Sequence, residues 1–239
     1  MYVTLQNTAR VIVLYDVFLC VVYNRGKIWS IMGVLSEFRY RKISQSATVD
    51  DLVTEFFRKT LHISSAIVTV FASYFFVPTV IGIIGITVLY CISELLRFKG
   101  HSLPLITKIT QAAARKRDRG HFVLGPLTLA LGVLAALLCF PIHVARIAIF
   151  ALAFGDGSAS LVGKIFGQKH LSIAKDKTVE GSFACFIAVL VSSFFATFSF
   201  WQSLVLAAAA VLIEMLPLKD FDNLLIPICI GALCMLIGA

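Results

Sequence analysis

Charged residues are scarce in this sequence. Asp, Glu, Lys and Arg make up only 14% of its 239 residues, against roughly 25% in a soluble domain. Hydrophobic residues make up 59% and the mean hydropathy is +0.92, which is more than one ordinary globular core can bury. The shortage of charge therefore argues against a soluble globular protein, because only lipid tolerates so much apolar surface.

Metal-binding cysteine patterns and a cleavable signal peptide are also missing. The chain has no C-x-x-C and no Cys/His cluster with zinc spacing. Its six cysteines all lie in apolar runs, where they are expected to act as small buried hydrophobic residues: Cys20, Cys91, Cys139, Cys185, Cys229 and Cys234. The first apolar stretch, 11–23, contains Asp16 and is followed by no small-residue cleavage site.

Long apolar runs predict the fold. Together they indicate an all-α, polytopic transmembrane helical bundle with short helices and about seven spans. Gly82 and Gly85 are expected to allow close contact between helices. Residues 1–50 are predicted to form an interfacial or marginal membrane segment, ahead of a transmembrane domain at 51–239. The apolar helices are expected at 60–77, 79–97 after a turn at Pro78, 122–140, from Pro141 to 154, in a hairpin at 181–213, and up to 239.

The charged residues gather on one side of this bundle. If the spans alternate in direction, the stretches before 60, at 97–120, at 156–180 and at 217–223 share one face, which the positive-inside rule makes cytoplasmic. The net charge of +8 is then explained by topology and anionic lipid rather than by nucleic acid. Arg146 is the exception, and we expect it to reach the interface or to pair with a polar group.

Two charged motifs lie at the ends of apolar runs. Glu55, Arg58, Lys59 and His62 share one helical face by their spacing, which fits either an interfacial anchor or a functional site. In the second motif, Gly155, Ala159, Gly163 and Gly167 recur every four residues and predict a smooth ridge for close packing. Beside that ridge runs a polar stripe that suits a magnesium–phosphate complex: Asp156, Ser160 and Lys164.

Two further motifs add cations and acids. Lys175 and Lys177 can bind a polyphosphate as point charges, and Thr178 is placed to begin a helix whose exposed N–H groups favour an anion. An ordinary helix cap with topogenic lysines is the alternative interpretation. Glu214, Asp220 and Asp222 are acids that oppose the positive-inside trend, and together with Asn223 they offer oxygen ligands for magnesium.

Together the motifs supply acids for a divalent ion, cations for phosphates, and a His or Asp as a base. Their position at the membrane surface fits a nucleotide from the cytosol that meets a lipid from the bilayer. A transporter fits less well, because its coupling residues usually lie near the midplane.

In order and spacing, residues 50–230 resemble the CTP-dependent lipid-alcohol kinases (dolichol kinase, phytol kinase and the CTP-using diacylglycerol kinase), which are related to phosphatidate cytidylyltransferase. Phe221 departs from the pattern, because the kinases usually have two adjacent acids before the Asn. The resemblance rests on four motifs: Glu55-x-x-Arg58-Lys59-x-x-His62, Gly155-Asp156-x-x-Ala159-x-x-x-Gly163-x-x-x-Gly167, Lys177-Thr178-x-Glu180-Gly181 and Asp222-Asn223-x-x-x-Pro227.

The resemblance implies transfer of the CTP γ-phosphoryl group to a lipid hydroxyl by the domain at 51–239, with Mg²⁺ as cofactor. Phosphatidate cytidylyltransferase, and a small transporter or lipid-binding scaffold, stay as alternatives. The expected partners are the lipid substrate, CTP and the bilayer, without nucleic acid. A homodimer is left open, and the expected location is the bacterial inner membrane. The implied roles are metal binding by Asp156, Asp222 and Asn223, phosphate binding by Arg58, Lys59, Ser160, Lys175 and Lys177, and orientation or proton transfer by His62, Asp156, Glu180 and Asp220.

The predicted topology can be tested by cysteine labelling in a background without the native cysteines. Asp118→Cys, Asp176→Cys and Asp220→Cys should react with a membrane-impermeant thiol reagent from the cytoplasmic side, and Pro78→Cys and Trp201→Cys from the opposite side. Reaction of positions 118 and 176 from opposite sides would contradict the topology.

Overall fold

The computed structural model describes residues 49–100, 104–115, 118, 120–171, 174 and 177–238. The described residues are mainly helical and contain one isolated β-bridge but no strand, so the all-α prediction is confirmed. The predicted N-terminal segment lies almost entirely outside them. The helices are α1 Val49–Tyr74, α2 Phe76–Phe98, α3 Pro104–Ala113, α4 Leu124–Cys139, α5 Ile142–Phe150, α6 Gly157–Phe166, α7 Val179–Thr197, α8 Phe200–Glu214 and α9 Asp222–Leu236.

The first hairpin turns at Phe75 and not at Pro78. Phe75 leaves the helical conformation, with φ −133° and ψ 63°, between α1 and α2. Pro78 lies in the first turn of α2, where a backbone N–H has no acceptor within the helix, so the N–H that proline lacks is not needed. The predicted boundary was therefore wrong, because a proline that breaks a helix and one that starts a helix look alike in sequence.

The helix that begins at Ile142 does not end near residue 154 as predicted. It continues to Phe166 through a π-helical turn at Ala151–Asp156 that joins α5 to α6. A π turn accommodates one extra residue and is frequent at functional sites. Gly155 and Asp156 thus lie inside a continuous helix. The basic loop predicted at 97–120 also contains a short helix, α3.

The α5–α6 helix runs through the centre of the bundle. Two-thirds of its most apolar stretch (67%) is buried, against 11% for α2 at the periphery. On one side Val144, Ile147 and Leu152 pack in a core with α7, α8 and α9. On the other side Ala145, Ala148 and Ile149 pack in a second core with α1 and α4.

Three helices are long and apolar enough to cross a membrane: Phe76–Phe98, Ile142–Phe166 and Val179–Thr197. Shorter apolar helices occupy Leu124–Cys139 and Phe200–Glu214. Large hydrophobic side chains on the outside of α2, such as Ile81 and Ile86, are more than 60% exposed, as expected of a surface that faces lipid. The chain therefore has the character of a membrane protein, and the number of seven spans stays a prediction.

Close contact between α4 and α9 occurs at two glycines that were not predicted. Among the described residues, no atom outside α2 lies within 4 Å of a Cβ placed on Gly82 or Gly85, so the predicted close contact is not found there. A Cβ on Gly132 of α4 would lie 2.1 Å from the carbonyl oxygen of Asn223, at the start of α9. On α9, a Cβ on Gly231 would lie 2.4 Å from the Phe140 ring. These glycines let α4 and α9 pack together.

Arg146 pairs with a polar group on a neighbouring helix. Its guanidinium donates a hydrogen bond of 2.8 Å to the hydroxyl of Ser73 on α1. A charged group among apolar helices needs such pairing, and the predicted pairing with a polar group is confirmed.

The α4–α9 contact predicts different effects for two identical substitutions. Gly132→Ala should destabilise the protein by about 1–3 kcal/mol, because the added methyl group overpacks a backbone contact. Gly85→Ala is the matched control, and it should be neutral or stabilise by up to about 1 kcal/mol through helix propensity. Unfolding in mixed micelles by a denaturing detergent measures both. Equal shifts in the two variants would contradict the packing.

Candidate active site

Helix α1 turns four charged or polar side chains toward the bundle. Glu55, Arg58, Lys59 and His62 follow each other at intervals of three or four residues and are all buried, with relative exposures of 1%, 8%, 1% and 3%. An interfacial anchor would place such groups at the surface. Their burial favours the functional interpretation of the motif, because buried charges persist only when they are paired or used.

A buried ion pair connects α1 to the central helix. The Nζ of Lys59 donates to the Oδ2 of Asp156, which the π turn directs toward α1. The Nδ1 of His62 lies 3.3 Å from the same oxygen, but it has no hydrogen-bond partner among the described residues. The carboxylate thus faces a cation and an imidazole nitrogen that is available to another group.

Glu55 lies among four cations. Its carboxylate is 3.0 Å from Arg58, 2.9 Å from Lys164 on α6 and 3.4 Å from Arg115, with Lys59 at 3.9 Å. Burial alone raises the pKa of Glu55, but the cations lower it by more, so the pKa lies well below its usual range. Glu55 is therefore ionised at neutral pH and holds the guanidinium and ammonium groups in place.

Asp220 extends this cluster toward the start of α9. Its carboxylate lies 3.8 Å from both Arg58 and Arg115. Burial lowers the pKa of Arg115, whereas Glu55 and Asp220 raise it by more, so its pKa stays above the ordinary value. Phe221, the departure from the kinase pattern, is 54% exposed. The departure from the pattern thus places the Asp220 carboxylate beside the two arginines, and the Phe221 ring lies outside the charged cluster.

A second carboxylate–lysine pair lies at the starts of α7 and α9. The Nζ of Lys177 is 3.8 Å from Asp222 and 3.3 Å from the carboxylate of Glu214, and it also donates to the Glu214 carbonyl. Ser182 donates to Glu214 at 3.0 Å. The negative charge of Asp156 acts on Asp222. The two carboxylate–lysine pairs are therefore electrostatic neighbours.

Asn223 attaches the start of α9 to α4. Its Nδ2 donates a 3.0 Å hydrogen bond to the hydroxyl of Thr128, and its backbone N–H donates to Asp222 at 2.9 Å. Both contacts fix the direction of the Asp222 and Asn223 side chains. A metal at this position would take the amide oxygen of Asn223, since the nitrogen is used.

The glycine ridge brings α7 to the site. A Cβ on Gly163 would lie 2.9 Å from the Thr178 hydroxyl, and one on Gly181 would lie 2.6 Å from the carbonyl of Ala159. Thr178 also accepts a hydrogen bond from the N–H of Gly181 and caps α7, as its position predicts. This close approach places Lys177, the residue before the cap, among the acids.

The remaining predicted residues take different positions. Ser160 is half-buried one turn beyond Asp156. Glu180 accepts from the backbone N–H of Lys169 at 3.5 Å and takes no part in the ion pairs described above. Lys175 lies outside the described residues. Arg115 was missed as a site residue, because its loop reads as topogenic charge and no local spacing connects it to Glu55.

The donor set fits one kind of magnesium site. No group of three or more His, Cys, Asp or Glu side chains able to hold a metal occurs among the described residues. Mg²⁺ that arrives with a nucleotide needs only one or two carboxylates, because phosphates and waters complete its shell. Asp156 and Asp222, with exposures of 4% and 7%, fit that mode and not an all-protein cage.

Known lipid kinases resemble this chain. A chloroplastic farnesol kinase of Arabidopsis thaliana is 31% identical over 131 residues, which are 47% of this chain and 42% of the relative. The CTP-dependent diacylglycerol kinase 1 of Eremothecium gossypii is 32% identical over 88 residues, 37% of this chain and 27% of the relative. A probable chloroplastic phytol kinase of Triticum aestivum is 28% identical over 140 residues, 50% of this chain and 46% of the relative.

The matched region thus spans less than half the length of each of these relatives. No protein-family model matches the chain, and no solved structure matches it significantly. The relatives are plant and fungal proteins, two of them chloroplastic, so the expectation of a bacterial inner membrane is not supported. The predicted resemblance to the CTP-dependent lipid kinases is confirmed.

Proposed function

We propose that this protein transfers the γ-phosphoryl group of CTP to the hydroxyl of a lipid alcohol. The main support is the pairing of two buried carboxylates, Asp156 and Asp222, with Lys59 on α1 and with Lys177 just before α7. Phosphoryl transfer depends mostly on positioning and on charge stabilisation, and both require such fixed charges. The relatives are named as kinases, and one is named as CTP-dependent.

The charge balance of the site favours a divalent cation. The ion pairs of the described site residues contain five carboxylates and five cationic side chains. A triphosphate would bring strong negative charge into a site that already contains these five carboxylates. Mg²⁺ bound with CTP would neutralise that charge and polarise the transferred phosphoryl group. Asp156 and Asp222 would hold it, with the amide oxygen of Asn223 assisting.

The cations and hydroxyls of the site have complementary roles in this proposal. Arg58, Lys59 and Lys177, together with Lys175, bind the phosphates, and Ser160 adds a hydroxyl one turn from Asp156. Glu55 holds Arg58 and Lys59 in position. The hydroxyl of the lipid is oriented, and its proton accepted, by the groups that remain: His62, Asp220, Glu180 or Asp156 itself.

The proposed reaction takes place at one face of the membrane. The helices that supply the site are anchored by apolar segments, whereas the ion pairs collect at the ends of α7, α8 and α9. Such a position gives a lipid hydroxyl access from the bilayer and a nucleotide access from water. By the positive-inside rule this face is cytoplasmic.

Removing the Asp156 carboxylate should abolish activity while the protein still inserts. Asp156→Asn should lower kcat by about a hundredfold or more, because a metal ligand contributes several kcal/mol to the transition state. The measurement is magnesium-dependent transfer of labelled phosphate from CTP to phytol, farnesol or diacylglycerol in detergent. Gln202→Ala, at the far end of the bundle, is the control and should keep normal activity.

A double variant separates this role from folding. Asp156→Asn leaves Lys59 as an unpaired buried charge, which destabilises the protein. Asp156→Asn combined with Lys59→Met removes both charges and should restore stability in the mixed-micelle assay but not activity. Near-normal turnover in either variant would remove Asp156 from the site.

The position of the label on the product distinguishes the kinase from its alternatives. With CTP labelled on the γ phosphorus, we expect label on a lipid alcohol and release of CDP. Label from the α phosphorus on phosphatidate, with release of pyrophosphate, would show a cytidylyltransferase instead. No transfer from either position to any acceptor would favour the transporter or scaffold alternative.

A further inference from the structure

An apolar groove of about 260 Å³ begins at the candidate active site and runs between α1, α2 and α4. On α4 its wall extends from Gly125 to Val133, which corresponds to about 12 Å along the helix. Gly125 and Pro126, at the start of α4, form part of this wall.

The groove offers almost no polar partner along its length. The hydroxyls of Ser64, Ser65 and Thr87 line it, but each donates to a carbonyl of its own helix, at 2.8, 2.5 and 2.7 Å. Apart from these hydroxyls and the charged or polar side chains of Arg58, His62, Asp118 and Asp220, the lining side chains are apolar, among them Ile83 and Leu129. Because those hydroxyls are already bonded, the groove suits a chain without polar groups.

One end of the groove is polar and belongs to the site. Arg58, His62 and Asp220 line it there, and the Nδ1 of His62 has no hydrogen-bond partner among the described residues although it is buried. A hydroxyl group is a natural partner for such a nitrogen. The groove therefore joins an apolar space to the place where the proposed reaction occurs.

The other end is closed, and one side is open to the outside of the bundle. Val68, Ile83 and Val133, which line the groove, also belong to the second core, where they pack with the buried Ala72 of α1 and Ala136 of α4. Ile86, on the rim of the groove, is 71% exposed on the outer surface of α2. A lipid in the bilayer can thus enter sideways without crossing the polar face.

We infer that this groove binds the single apolar chain of the acceptor alcohol, with its hydroxyl at His62. The inference rests on the proposed function and adds the substrate class, a long single-chain alcohol rather than a two-chain glyceride. The volume favours one chain over two, because 260 Å³ is below the roughly 300–1,000 Å³ of typical ligand pockets. The apolar residues at the far end of the groove limit the length of alkyl chain that fits inside it.

Photo-crosslinking tests this binding without any need for activity. A long-chain alcohol with a diazirine near its far end, added to the detergent-solubilised protein without CTP, should label α2 around Ile83–Thr87 and α4 around Leu129–Val133. Phytol should compete, and Thr87→Trp should reduce labelling. Labelling confined to other helices, or unaffected by phytol, would overturn the inference.

Substitutions inside and beside the groove test its use in the reaction. Thr87→Trp and Ala130→Trp fill it, and their matched controls on the same helices are Val88→Trp and Leu131→Trp, which lie outside it. Filling should raise the KM for phytol about tenfold or more, because the indole ring occupies space that the alkyl chain needs. The KM for the shorter alcohol geraniol should change little, and the KM for CTP should stay the same.

The outcomes separate the two proposals. Equal effects in the groove variants and in their controls, or diacylglycerol preferred over phytol by the unaltered protein, would refute the groove while leaving the kinase intact. Absence of phosphoryl transfer with labelling still in the groove would refute the kinase but keep the binding site. If Thr87→Trp fails to fold, Ala130→Trp carries the same test on the opposite wall.

Discussion

The ion pair between Lys59 and Asp156 is the constraint on which the site depends. Both groups are buried near the apolar part of the bundle, where an unpaired charge costs several kcal/mol. Either residue alone would be excluded from this position, so each requires the helix that carries the other. The pairing fixes α1 against the central helix and thereby sets the positions of Glu55 and His62, which belong to the same face of α1.

Small residues make these electrostatic contacts geometrically accessible. Lysine and aspartate side chains reach each other only if their helices approach closely, and side chains at the interface would prevent this. Gly163 and Gly181 remove that obstacle between α6 and α7, and Gly132 does so between α4 and α9. The close packing at Gly163, Gly181 and Gly132 therefore lies beside the charged site, whereas Gly231 packs against Phe140 away from it.

Much of this could be predicted from the sequence, because membrane burial leaves strong patterns. The length of the apolar runs gives the helical class, and the four-residue spacing of small residues gives the ridge. A charged side chain at a lipid boundary has a high free-energy cost, so Asp156 and Asp222 are each predicted to be functional even without the other motifs. The motifs lie far apart in the chain, yet the alternation of spans already assigns them to one face.

Other features depend on information that local sequence does not carry. The Arg115 guanidinium contacts Glu55, which lies 60 residues earlier in the sequence. The composition of the basic loop around Arg115 is the same for a loop that faces lipid headgroups as for one that faces a buried carboxylate. The sequence places the turn between α1 and α2 at Pro78 rather than at Phe75, because a proline that ends a helix cannot be distinguished from one that begins a helix. The sequence also does not show that α5 and α6 form one continuous helix through Gly155, because glycine by itself weakens a helix. Here Gly155 packs closely against Val189 of α7, and this tertiary contact favours a residue without a side chain.

The π turn at Ala151–Asp156 restricts where residues can be inserted into this chain or deleted from it. Each helical residue advances the helix by about 100°, so one additional residue rotates everything beyond it relative to everything before it. Here that rotation lets α5 face two apolar cores while Asp156 faces α1. A one-residue insertion or deletion, harmless in a surface loop, would put these two halves out of phase. The packing on both sides of the π turn therefore fixes the number of residues in the α5–α6 helix.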